Sequence, residues 1–383
     1  MKEAAEYTYW IAIAHLPKWT TDRINRLIVQ IVHDKKMSLE EFFNLNAQGW
    51  TEIFSLTAKE IADLEFTKKD LPRLAFIAEQ LQSEGFDLIP LNSPEYPTEL
   101  KENLKVKSSP PLLYVKGRKG LLKEDAVAIV GSRKAGQKAL DFTDHVAKKS
   151  VKESKVIVSG FAKGVDKQAL DSTLEANGKS IIVLPQGILT FQSGFKKYYQ
   201  PIINGDVLVL STFFPKAGWD VGLAMARNAY IYGLAKEIYV AESDSKGGTW
   251  EGAMDGLKRK RSVYVRFPEK KEKNANLSLI NLGGIAVDDW GEKIQDQSPA
   301  NEIKKNGIDE SISSDQEELT LEQKILAFLT KGPFTAKEIT IGLKLDWDTK
   351  KVTTFLKKNP NVKMIEGKPT KFSRTDATTL TLF

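Results

Sequence analysis

At 383 residues, with a formal net charge of +6, 41% hydrophobic residues and no cysteine, the chain has room for two or three domains and a sizeable core. The lack of cysteine excludes disulfides, thiolate nucleophiles and cysteine-ligated zinc, and the three histidines, His15, His33 and His145, have no ligand spacing, so no metal or other cofactor is expected. No apolar run approaches the roughly 18 residues of a membrane span, and the polar N-terminus MKEAAEYTYW is no secretory signal, so a cytoplasmic location without membrane contact is expected.

Residues 1–88 read as a helical domain of the SAM or helix-hairpin-helix size, with Ile24, Leu27, Ile28 and Ile31 forming one helical stripe. A DNA-binding hairpin needs a glycine in its turn, but the first connection is Leu16-Pro17-Lys18-Trp19, which favours a packing or protein-contact role. Five prolines, Pro90, Pro94, Pro97, Pro110 and Pro111, punctuate the next stretch and predict an extended connector. Residues 112–115 then read as an edge strand.

From 126 to 287, strand and helix alternate. Short apolar runs at 127–130, 156–159, 181–184, 207–211, 238–241, 263–267 and 285–287 are separated by helical patterns at 138–152, 165–177, 221–234 and 250–258. Near-continuous apolar strands with intervening helices predict an α/β domain over 89–289, Rossmann-like, with a mostly parallel sheet covered on both faces. Ligands of such sheets lie outside the carboxyl ends of the strands, so the loops there are read together. They hold Gly131-Ser132-Arg133 after the first strand of this run, and Ser159, Gly160, Lys163 and Gly164 after the second. Arg227-Asn228 follow on a helix, and Lys246-Gly247-Gly248-Thr249 open the next. Glycines, hydroxyls and cations on one sheet edge predict a phosphate or nucleotide site. The expected contacts are amides at Gly131 and Gly160 with Arg133 and Lys163 on successive phosphates, and Arg227 on a phosphate or a base. Asp166 reads as a helix cap rather than a base. The first loop is neither G-x-G-x-x-G nor a Walker A loop, because Gln137-Lys138 stand where Lys-Ser/Thr is needed. ATPase chemistry is not expected there.

Residues 290–318 have little hydrophobic content and no period, and read as a flexible linker. From 319 to 383, three helical patterns precede a hairpin flanking Gly367-Lys368-Pro369, the order of a winged helix. Lys350, Lys351, Lys357 and Lys358 fall on its third helix, and Lys368 and Lys371 on the hairpin. Nucleic-acid contact and protein contact are both open for this part.

Three stretches in fixed order, IVGSRKAG, IVSGFAKGVDKQAL and MARNAYIYGLAKEIYVAESDSKGGTWEGA, with LIPLNSPEYPTEL and PPLLYVKG ahead of them, resemble the DprA/Smf family of DNA-processing proteins. The resemblance implies a Rossmann-like domain that binds single-stranded DNA, forms homodimers and loads a RecA-type recombinase in transformation, with no catalytic residue. The family's GSR would be Gly131, Ser132 and Arg133, its SGxAxGID loop residues 159–166, and its RN pair Arg227-Asn228. The chain departs from the family at Lys163 and Ala229, in KGGTWEGA, and at Phe267-Pro268-Glu269-Lys270, where a proline-glycine turn is usual. Two alternatives remain, with defence as their setting: a nucleotide-binding sensor or a LOG-type nucleotide phosphoribohydrolase. In the second, Gly247-Gly248-Thr249-Trp250-Glu251 would resemble the GGxGTxxE loop, with Glu251 and Arg227 as its working residues.

Overall fold

The computed structural model describes residues 2–294 and, beyond them, 325–326, 328–329, 333–343, 347, 349–359, 362–365 and 370–374. It divides into two units, Met1–Pro299 and Ala300–Phe383.

The first unit is built on a nine-stranded sheet: β1 (Asp87–Pro90), β2 (Leu112–Lys116), β3 (Ala126–Gly131), β4 (Val156–Ser159), β5 (Ser180–Val183), β6 (Val207–Ser211), β7 (Glu237–Glu242), β8 (Ser262–Arg266) and β9 (Ile285–Val287). The order is β1-β2-β6-β5-β4-β3-β7-β8-β9. Strands β3 to β9 are mutually parallel, with Val127 opposite Ile157 on one side and Glu237 on the other. Strands β1 and β2 join antiparallel at one end. This is the mostly parallel α/β sheet the apolar runs predict.

Both faces are covered, which is why the strands read as unbroken apolar runs. Val127 and Ile129 pack with helices α7 (Gln137–Lys152) and α8 (Val165–Glu175). Ala128 and Val130 face the opposite core, with α11 (Val221–Leu234) and α12 (Gly248–Lys258).

Ahead of the sheet come α1 (Lys2–Ala14), α2 (Thr21–Ile28) with a π-helical extension over Val29–Asp34, α3 (Leu39–Asn44), α4 (Ala47–Phe54) and α5 (Ala58–Ser83). The starts of α2 to α5 are set by side-chain caps at Thr20, Ser38, Asn46 and Thr57, the second and last as full capping boxes with Glu41 and Glu60. Their apolar faces share one core with the sheet: Ile11, Leu27, Phe42 and Leu81 pack in the same cluster as Leu112, Tyr114, Ile182, Val207 and Val209.

One contact in that seam is pH-sensitive. The His15 Nε2 lies 2.9 Å from the Tyr114 hydroxyl, and its ring meets Phe214 edge-on. Burial holds the imidazole neutral, its pKa pushed down from 6.5 to about 4. The stability it carries is therefore present above pH 6.5 and lost as pH falls through that value towards 4. Thermal midpoints of the wild type and a His15→Gln variant, followed from pH 7 to 4, are expected to converge on acidification. Parallel curves would place the acid sensitivity elsewhere.

Two expectations fail between β1 and β2. The proline-rich stretch is not a continuous extended connector, because α6 (Thr98–Ser108) lies within it. Pro97 occupies its N-cap, and Pro110 and Pro111 follow its end, so the prolines bound a helix instead of preventing one. Leu100 and Leu104, one helical turn apart, are buried and reach the position where a Gly233 side chain would begin. Nor is β2 an edge strand. Strand β1 lies outside it and places Pro90 on the sheet margin, where a missing N–H is tolerated. Two short helices between β5 and β6, α9 (Gln192–Lys197) and α10 (Tyr199–Asn204), have no counterpart in the sequence reading. The last member of the sheet region, α13 (Asn276–Asn281), precedes β9.

In the second unit, residues 325–326 and 328–329 are helical, followed by helices Ala336–Gly342 and Thr349–Lys358 and an antiparallel pair, Val362–Ile365 with Lys371–Arg374. Ile325, Leu329, Ile339, Val352, Leu356 and Phe372 form its core. Thr335 caps the second helix through the Glu338 amide, as its sequence position suggests. Lys350, Lys351, Lys357 and Lys371 are exposed. Most of the expected linker, the Gly367-Lys368-Pro369 turn and the Lys358 side chain lie outside the described residues.

Candidate nucleic-acid interface

From β3 the chain adds β4, β5 and β6 on one side, then crosses to place β7 on the other. The loops after β3 and β7 therefore diverge and leave a crevice at the carboxyl edge. A cavity of about 640 Å³ opens there. Of the residues singled out in the sequence, Gly131, Ser132, Arg133, Arg227, Asn228, Lys246, Gly247, Gly248 and Thr249 line it. Ser159, Gly160, Lys163 and Gly164 do not.

The β3 loop is held by Glu242 at the end of β7. Its carbonyl accepts from the Ser132 N–H at 2.9 Å and its Oε2 from the Gly136 N–H at 3.3 Å. Ser132 spends its hydroxyl on the Lys134 N–H, 3.1 Å away. Gly164 presses the second loop against the first. It has φ +78°, and a Cβ there would stand 2.9 Å from the Arg133 carbonyl group, so only glycine serves.

Two of the lining residues, Asp166 and Arg227, form a buried ionic pair. Arg227 is 3% exposed. Its Nη1 donates to the Gly160 and Val183 carbonyls, and its Nη2 stands 4.0 Å from Asp166 Oδ2. Burial raises the Asp166 pKa and lowers that of Arg227, each opposed by the charge of the other. Asp166 Oδ2 also accepts from the Ala162 amide at 3.4 Å. Ser159 is buried, with its hydroxyl donating to the Asp166 carbonyl at 3.2 Å.

These contacts correct three expectations. Arg227 cannot stack on a base, because its guanidinium is enclosed and committed to backbone carbonyls. The Gly160 amide is not offered to a phosphate in the cavity, because Gly160 is buried and does not line it. Asp166 binds the Ala162 amide ahead of α8 and so pins the loop rather than capping the helix. Lys163 is exposed but off the cavity wall. The proposed hydrolase pair fails as well: Glu251 is exposed on the first turn of α12 and is not among the cavity residues.

Anion contact therefore falls to side chains. Arg133, Lys134, Lys246 and Lys273 are all exposed and line the cavity. Trp219, Val221 and Met225 line it too and are exposed at 55%, 63% and 42%. The sequence reading missed Lys134, Trp219, Met225, Glu242 and Lys273. Lys134 directly follows the GSR motif and Glu242 ends a strand, so both had a local signal. Trp219 and Lys273 did not.

Residues 87–296, over half of the chain, match the model of the family described as DNA recombination-mediator protein A. The chain belongs to that family. Among its relatives, the DNA processing protein DprA of Streptococcus pneumoniae is 36% identical over 170 residues, which take in 44% of this chain and 59% of that protein. Protein Smf of Synechocystis is 26% identical over 291 residues, 74% of this chain and 70% of the relative. In sequence the chain thus spans about three-fifths of the length of the S. pneumoniae protein. The X-ray structure of DprA from S. pneumoniae superposes with a TM-score of 0.54 at 25% identity, covering 74% of this chain and 94% of that one. The cavity and the Asp166–Arg227 pair fall within the matched residues. No helix among the described residues is long and apolar enough to cross a membrane.

Proposed function

We propose that this chain is a DNA-processing protein that binds single-stranded DNA along the cavity at the β3–β7 crevice and holds it, as a homodimer, for a RecA-type recombinase. The observation that carries the reading is the gathering of four exposed cations, Arg133, Lys134, Lys246 and Lys273, and an exposed Trp219 around one cavity. Cations track a phosphate backbone without regard to sequence, and an aromatic face accepts any unstacked base. A duplex keeps its bases stacked inside and cannot use the second contact. No bond is broken in this scheme: the protein acts by holding the strand. Two such sites in a dimer would form one longer path, raising affinity without new contacts. The winged-helix reading of residues 319–383 belongs to the same proposal, as a module for duplex or partner contact.

A second reading is favoured by one observation. A cavity of about 640 Å³ is of the size that takes a small ligand, which suits a nucleotide-binding sensor.

Fluorescence anisotropy of labelled oligo-dT and matched duplex over a salt series separates the two. Four phosphate contacts predict a slope of log affinity against log salt of about −3 for the single strand. Failure of the folded protein to bind oligo-dT, with a mononucleotide bound instead, would overturn the first reading in favour of the second.

A further inference from the structure

The segment between β8 and α13 replaces the family's proline-glycine turn with Phe267-Pro268-Glu269-Lys270-Lys271-Glu272-Lys273. It is fastened with unusual care for an exposed loop. Arg266, the last residue of β8, is fully buried, with a bidentate ion pair to Glu272 and its Nε donating to the Ala241 carbonyl at 3.1 Å. Asn274 donates to the same Glu272 carboxylate at 2.8 Å. Asn276, also fully buried, donates to the carbonyls of Ala241 and Arg266 and accepts from the Ser243 amide. At the other end of the loop, Glu269 pairs with Lys138 of α7 at 3.0 Å.

A buried ion pair is a poor source of net stability, because desolvation offsets most of the attraction. Its use is more often to fix a geometry. What this clasp fixes is Lys273. It stands between two clasp residues, Glu272 and Asn274, and its side chain lines the cavity. It has no ion pair or hydrogen bond of its own among the described residues. Lys271, two residues earlier, is equally exposed but does not line the cavity.

We propose that Lys273 is a phosphate-contacting residue of the single-strand site, and that Arg266, Glu272 and Asn276 are positioning residues that hold it at the cavity wall. This rests on reading the cavity as a nucleic-acid interface. The loop after β8 then adds a cation to those that the loops after β3 and β7 supply.

The test is oligo-dT anisotropy across a salt series with Lys273→Ala, Lys271→Ala and Glu272→Gln, each checked for folding by thermal unfolding. Lys273→Ala is expected to weaken binding about five- to tenfold and to reduce the salt slope by about 0.7, the value of one single-strand phosphate contact. Lys271→Ala, with the same change in charge, is expected to change affinity less than about twofold. Glu272→Gln gives the sharper result. It removes a negative charge, so a simple field effect would tighten binding, whereas release of the clasp weakens it.

Equal effects of the two lysine variants, or a Glu272→Gln protein that binds as tightly as the wild type or more so, would overturn the positioning role. Wild-type protein that fails to bind oligo-dT would instead bring down the interface reading and this proposal with it. Should Glu272→Gln not fold, the comparison of the two lysine variants decides alone.

Discussion

Replacing Arg133 with alanine is expected to weaken single-stranded oligonucleotide binding by about 1–3 kcal/mol, roughly five- to 150-fold, while Lys163→Ala is expected to change it less than about threefold. The difference follows from placement. Both residues sit on motif loops at the same sheet edge, but Arg133 lines the cavity and Lys163 does not. The β3 loop beneath Arg133 is held by Glu242 at two amides and by the Gly164 contact, so the arginine is presented from a rigid base and little ordering remains to be done on binding. Anisotropy titrations at a fixed moderate salt concentration measure both variants. Equal losses for the two would mean that only net charge on this edge matters, and unchanged affinity for Arg133→Ala would remove the cavity from the binding path.

Arg227→Ala has its largest effect on folding. Removing the arginine leaves the Asp166 carboxylate buried without its countercharge and strips donors from the Gly160 and Val183 carbonyls. Breaking a buried pair on one side costs about 3–5 kcal/mol, which urea unfolding would register as a lower midpoint with little change in slope. Any loss of DNA binding by this variant should track the unfolded fraction and be restored at lower temperature. A variant with wild-type stability and no DNA binding would show that Arg227 contacts the ligand after all.

The sheet was readable because its strands are buried on both faces, so each one announces itself as an apolar run without needing a partner to be known. The convergence of the motif loops followed from parallel topology, which puts every strand's carboxyl end on one edge. The buried role of Arg227 was not readable. An arginine beside an asparagine in a family motif looks like a ligand contact, and only the packed structure shows that its guanidinium lies against Gly160. A Cβ on that glycine would stand 2.6 Å from Arg227 Nη2. Gly160 is therefore small to admit a side chain, where the sequence suggested room for a phosphate. Helices α9 and α10 were hidden for another reason. Each has only six residues, too short for a period to register, and Phe191 and Tyr198 beside them pack on Phe161 of the site loop. Lys273 carried no signal because its position depends on a buried arginine in the preceding strand.

The shared core between the N-terminal helices and the sheet bears on how such chains can be cut and recombined. The family match begins at residue 87, the first residue of β1 just after α5, and invites a fragment that starts there. Such a fragment would keep every motif yet strip the α1 cover from Leu112 and Tyr114 of β2, leaving exposed apolar surface of the kind that draws copies together into aggregates. The portion that relatives share and the portion that can stand alone in water have different edges, and a graft that exchanges the helical segment must carry a matching underside with it.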